Sequence, residues 1–155
     1  MRHFEIRTEI SAPPDRVWAV MCDAERWHEW TPSVTRITRL EQGPLSVGSR
    51  ALIRQPKFPP ALFKVTAIEP GRSFTWVSVA PGLRVFAHHR VEPAGGGSQA
   101  TLSLDMEGLF GGLWGRLTRG ITERYLEFEA KGLKARSENA AFRHSASPGQ
   151  RNPIL

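Results

Sequence analysis

One cysteine and one tyrosine stand in a chain of 155 residues, and other absences narrow the field further. Cys22 alone cannot close an intrachain disulfide, which fits a reducing compartment, and a cytoplasmic location is expected. No stretch approaches the roughly 18 apolar residues of a membrane span. Charge arrives directly after Met1, at Arg2, with no apolar run behind it, so neither an integral membrane segment nor a secretory leader is expected. No run of five basic residues occurs, although the formal net charge is +6. Arg36, Arg39, Arg50, Arg54, Lys57, Lys64, Arg116 and Arg119 are scattered, and Arg143 and Arg151 fall in a terminal stretch without acids. Scattered cations read as a solvated surface, and nucleic acid is not an expected partner.

Chemical signatures are also missing. There is no G-x-S-x-G, no phosphate-binding glycine loop and no dinucleotide fingerprint. Gly95-Gly96-Gly97 precedes no helix and reads as a hairpin tip. His3, His28 and His144 are dispersed, and the adjacent His88 and His89 point opposite ways on a strand, so no metal site is expected. Cys22 lies among apolar helix residues, where a thiol behaves as a small hydrophobe. No catalytic residue and no cofactor are assigned.

What the chain does contain is periodicity. Apolar residues make up 40% and charged residues 23%, a balance that excludes disorder by composition. The length fits one domain, and five tryptophans imply large apolar contacts. Residues 4–10 alternate as a half-buried strand with Phe4, Ile6 and Ile10 on one face. Ser11 is a candidate cap before Pro13-Pro14-Asp15, which opens a short helix. Residues 24–30 form a second helical turn with Trp27 and Trp30 on one side. Strands are expected over 34–40, 49–55, 61–68, 73–79, 83–91 and 99–107, with turns at Glu69-Pro70-Gly71 and Ala80-Pro81-Gly82. Three prolines in residues 56–60 make that segment a loop or an edge. These short strands with turn signals between them describe an antiparallel meander.

Residues 111–138 read as one amphipathic helix with Leu113, Leu117, Ile121, Tyr125 and Phe128 as its apolar stripe. Gly120 and Gly132 inside it imply either close packing on the sheet or room for a ligand. From residue 140 the pattern dissolves, so a domain over 1–138 is expected, with a disordered tail over 139–155.

The order of elements resembles the START-like, or helix-grip, fold. The resemblance lies with the polyketide cyclase/dehydrase and lipid-transport (SRPBCC) superfamily. It is carried by Ile10-Ser11-Ala12-Pro13-Pro14-Asp15-Arg16-Val17-Trp18, by Trp27-His28-Glu29-Trp30-Thr31-Pro32-Ser33-Val34, by Val47-Gly48-Ser49-Arg50, Ile68-Glu69-Pro70-Gly71 and Phe74-Thr75-Trp76, and by the helix end from Gly132 to Glu138. It implies an α+β domain with two short helices after the first strand and a curved antiparallel sheet of six to seven strands wrapped on a long C-terminal helix. It also implies a cavity between sheet and helix for a small hydrophobic molecule (a lipid, a polyketide or an aromatic).

Alternation proposes which side chains face that cavity. Leu102, Leu104 and Met106 share the inward face of the last strand, leaving Asp105 and Glu107 outside. Val85, Ala87, His89 and Val91 share that of the strand before. The expected ligand contacts are Trp30, Ile53, Gln55, Phe63, Val65, Trp76, His89, Leu104, Met106, Leu117, Ile121 and Tyr125, with Trp30 and residues 56–60 at the entrance. His89 and Tyr125 are the polar groups that would orient a ligand, or alternatively sit as bonded core residues. Three functions remain open. The first is binding or transfer without catalysis. The second is a polyketide cyclase or dehydratase using a cavity acid/base residue. The third is an interaction module using the tryptophan-rich front or the basic tail. Oligomeric state is left open.

Overall fold

The sheet is antiparallel throughout and runs in the order β1-β7-β6-β5-β4-β3-β2. Its strands are β1 (Arg2–Ile10), β2 (Arg36–Arg39), β3 (Arg50–Arg54), β4 (Ala61–Glu69), β5 (Ser73–Ala80), β6 (Leu83–Ala94) and β7 (Gly97–Glu107). Among the described residues three α-helices accompany it: α1 (Pro14–Cys22), α2 (Gly111–Leu117) and α3 (Arg119–Ser145). A 3-10 helix, Ala24–Glu29, follows α1. The structure is a computed structural model and describes residues 1–145, with side chains described through residue 139. This is the helix-grip arrangement expected from the order of elements.

Turn chemistry sets the registers. Gly95 and Gly96 both take positive φ, +53° and +82°, and form a two-residue hairpin tip with Ala94 opposite Gly97. That handedness suits the right-handed twist of the flanking strands. Pro93 can sit inside β6 because β5 stops pairing at Arg90, so the missing N–H faces no neighbour. A register shift between Val65 and Ala67 bends β4. Pro13, not Ser11, occupies the N-cap of α1. The Ser11 amide instead donates to Glu138 Oε1 at 3.0 Å, tying the start of α1 to α3.

The helix expected over residues 111–138 is two helices. The break falls at Thr118, whose φ of −101° and ψ of 7° leave the helical range. Its hydroxyl donates to the Trp114 carbonyl at 2.8 Å, the local bond that competes with helix continuation. The buried positions differ from the expected stripe. Gly111, Gly115, Thr118, Thr122, Leu126, Ala130, Leu133 and Ser137 face the protein together with Tyr125. Leu113 and Leu117 are 58% and 71% exposed. Helix α3 runs on to Ser145; residues 146–155, the rest of the expected tail, lie outside the described residues.

One end of the space between sheet and α3 is packed solid. Val17 and Met21 of α1, Phe74, Val91, Ala100 and Leu133 are all buried there. Moving along β6 from Val91 through His89 and Ala87 to Val85, the packing gives way to a hollow.

Candidate functional site

The hollow has a volume of about 320 Å³. Alternation on the strands builds its walls: Ile53, Phe63 and Trp76 on one side, Val85, Ala87, Leu102, Leu104 and Met106 on the other. Thr122, Tyr125 and Leu126 of α3 close it from the helix side. The inner wall is aromatic. Trp27 lies 5.4 Å from Trp76 and 5.3 Å from the His89 ring, centroid to centroid, and Phe63 lies 5.6 Å from Trp76. Such tilted contacts fix large rings with little freedom.

The mouth lies at residues 55–60. The Tyr125 hydroxyl donates to the Pro56 carbonyl, which ties this loop to α3. Phe58 packs edge-on against Tyr125 at 5.7 Å and lies 6.5 Å from Trp114. Two of the three prolines expected to keep this segment out of a ladder, Pro59 and Pro60, thus line the hollow with Gln55 and Phe58.

Two polar groups stand out in the lining. His89 is 4% exposed and stacks on Phe74 at 4.3 Å and 11°. Burial holds its pKa down at about 3, against a hydrogen bond with the Phe74 backbone, so the ring is neutral. Its Nδ1 has no partner within the protein. Glu129 of α3 is the second. Burial of its carboxyl group raises the pKa to about 7, offset in part by Ser33, whose hydroxyl donates to Glu129 Oε1 at 3.3 Å. Ser33 is itself bonded to Thr31 Oγ1 at 2.8 Å, and both hydroxyl residues are buried. Near neutral pH Glu129 is therefore divided between acid and carboxylate, the state a group needs to give or take a proton.

Eight of the twelve expected contacts line the hollow: Ile53, Gln55, Phe63, Trp76, His89, Leu104, Met106 and Tyr125. The other four lie elsewhere. Trp30 packs at a tilt against Trp27, 5.5 Å between ring centroids, and presses its backbone on Gly132, where an added Cβ would stand 1.9 Å from the Trp30 carbonyl oxygen. Gly132 therefore serves close packing, against Trp30 rather than the sheet. Val65 is fully buried in the core beside the β4 bend. Leu117 points to solvent and Ile121 is only half-buried, because α2 and the start of α3 turn their small residues inward. Sequence reasoning missed Trp27 and Glu129 as lining residues, whereas Phe58 falls in the segment 56–60 expected at the entrance. For Glu129 the signal was its place four residues before Leu133 and three after Leu126, on the stripe that faces the sheet.

On the outer face of the sheet, His3 and His88 converge on Asp105. His3 Nδ1 lies 2.6 Å from one carboxylate oxygen, and His88 Nε2 lies 3.0 Å from the other. Thr75 Oγ1 reaches His88 Nδ1 at 2.9 Å. Asp105 points outward, as alternation requires. Among the described residues no group of three His, Cys, Asp or Glu side chains is arranged to hold a metal ion. No helix among them is long and apolar enough to cross a membrane.

The sequence profile of the family described as polyketide cyclase/dehydrase and lipid transport matches residues 1–138. This chain belongs to that family. No curated protein matches the sequence. Among solved structures, a protein from Thermus thermophilus superposes with a TM-score of 0.73 at 21% identity, over 90% of this chain and 99% of the other. An aromatase/cyclase from Streptomyces gives a TM-score of 0.68 at 19% identity, over 96% and 98%. A START superfamily protein from Mycobacterium smegmatis gives 0.69 at 17%, over 89% and 98%. At these identities the likeness is one of fold, and function must be argued from the site.

Proposed function

We propose that this family member binds a small, largely apolar molecule in the hollow between sheet and α3, and holds or transfers it without chemistry. The observation that carries the proposal is an apolar void of about 320 Å³ with one partly polar end. Burying ligand surface there yields about 25 cal/mol per Å² before the costs of association. The unpartnered Nδ1 of His89 and the Glu129 carboxyl would orient one polar function of the ligand. Several basic residues pair singly with acids, as Arg50 does with Glu41 and Arg136 with Glu29, and the rest are scattered along the sequence, so no nucleic-acid partner is proposed. The free Cys22, whose burial raises its pKa to about 12, accords with a cytoplasmic site of action.

Native mass spectrometry of the purified protein, followed by a thermal-shift screen of fatty acids and polycyclic phenols, tests the reading. A bound apolar compound whose retention is lost in Ala87→Phe, with the fold intact, is the expected result. Equal binding by parent and variant would remove the hollow from consideration.

A second reading is favoured by Glu129 alone: a cyclase or dehydratase acting on a polyketide-like chain. In it Glu129 moves the proton and the aromatic walls fold the substrate. Glu129→Gln would then abolish turnover while leaving ligand retention within about twofold, and the pH profile of the parent would break near 7. Unchanged turnover in that variant would exclude this chemistry.

A further inference from the structure

Helix α2 is packed the reverse way round from an ordinary surface helix. Its protein-facing positions are Gly111 and Gly115, with Thr118 directly after them. A Cβ on Gly111 would stand 2.8 Å from the Met106 carbonyl oxygen, and one on Gly115 would stand 2.5 Å from the Arg2 side chain. The backbone lies too close to β1 and β7 for any large side chain to fit between. The bulk of the helix is therefore turned outward, onto Leu113 and Leu117. The preceding loop adds Leu109 and Phe110, 86% and 51% exposed. Phe110 is fixed to the β5–β6 turn through its amide, which donates to the Gly82 carbonyl at 2.8 Å. That hairpin also carries Val79, 71% exposed. Clustered apolar exposure of this kind marks a contact surface.

The surface is continuous with the mouth of the hollow, because Trp114 lines the hollow and is also 37% exposed. Its unpaired charge has one sign. Residues 108–119 hold Arg116 and Arg119 and no acid. Arg119 is neutralised by Glu123 at 3.0 Å, whereas Arg116 has no carboxylate partner among the described residues. Lys57, at the tip of the opposite lip beside Phe58, has none either.

We propose that this lip docks on the surface of an anionic lipid bilayer. The apolar side chains of residues 109–117 enter the boundary between headgroups and acyl chains, and Arg116 and Lys57 meet lipid phosphates. A second copy of the chain fits the surface less well. A two-fold contact would bring Arg116 and Lys57 of both copies together with no acid to offset them, on a chain of net charge +6. The proposal concerns the outside of the mouth and stands independently of what the hollow holds.

Flotation of the full chain with vesicles tests it, using phosphatidylcholine alone and phosphatidylcholine with about 30 mol % phosphatidylglycerol. The chain is expected to float with the anionic vesicles, and to be released as salt rises from about 0.1 M to 0.5 M. The double substitution Leu113→Ser with Leu117→Ser touches two exposed positions, so the melting temperature should hold while bound fraction falls roughly tenfold. Arg116→Gln should reduce the preference for anionic over neutral vesicles. Absence of flotation, equal flotation on both compositions, or a double variant that floats like the parent overturns the proposal. So does a parent dimer that the double substitution dissociates, which would assign the surface to a second copy.

Discussion

A single hydroxyl governs the opening of the hollow. Tyr125, the lone tyrosine, donates to the Pro56 carbonyl and so pins residues 55–60 against α3. Tyr125→Phe keeps the ring contact with Phe58 and removes only that bond. It is expected to cost about 0.5–1.5 kcal/mol of stability and to loosen the loop. Limited trypsin digestion reads the loosening as faster cleavage after Lys57, while unchanged cleavage would mean that the prolines alone hold the lip. Glu129 and His89 are the other decisive residues. Burial moves both pKa values toward the neutral form, so His89 is uncharged and Glu129 only partly ionised near neutral pH, and the inner end of the hollow accepts polarity without carrying full charge.

At the scale of elements, the two glycines within the terminal helix have opposite roles. Nothing lies within 4 Å of a Cβ placed on Gly120, whereas one on Gly132 would meet the Trp30 carbonyl oxygen at 1.9 Å. Gly120→Ala is therefore expected to stabilise by about 0.5–1 kcal/mol through helix propensity. Gly132→Ala should destabilise by at least about 2 kcal/mol through overpacking against backbone. Paired thermal denaturation curves check the opposite signs. The strands were legible in the sequence because alternation has a strict period of two. The inward set Val85, Ala87 and His89, and Leu102, Leu104 and Met106 beside it, followed directly. The helix face was not legible. Hydrophobicity pointed to Leu113 and Leu117, but contact distance decided in favour of Gly111 and Gly115, and the closeness of Arg2 and Met106 across the fold leaves no local trace. Glu129 was missed for a related reason: it lies off the apolar stripe drawn through Leu117, Ile121, Tyr125 and Phe128, and only the corrected stripe through Leu126 and Leu133 carries it inward.

For the whole molecule, the two buried titratable groups set opposing pH slopes. The folded chain keeps His89 neutral, so stability is lost as pH falls from 6.5 toward about 3. It also keeps Glu129 protonated, so stability is lost as pH rises from 4.5 to about 7. Between 4.5 and 6.5 the two contributions cancel. The surface carboxylates held low by their partners, among them Asp105 beside His3 and His88, act at still lower pH. The expected outcome is a nearly level melting temperature across that window. Glu129→Gln should tilt it upward with pH and His89→Phe downward, each by up to ~1.4 kcal/mol per pH unit. Parallel, level profiles in both variants would show that neither group is buried as described.

The pairing of β1 with β7 sets the order of events during synthesis. Arg2 stands opposite Met106, and β7 is the sole bridge between β1 and the rest of the sheet. Strand β1 leaves the ribosome before β2 to β6 and waits for β7, with its backbone donors and acceptors unpaired, while the meander from β2 to β6 already has its ladders available. Until residues 97–107 emerge, β6 and β1 both lack the partner that β7 supplies, and that interval is when chaperones and proteases have access to them.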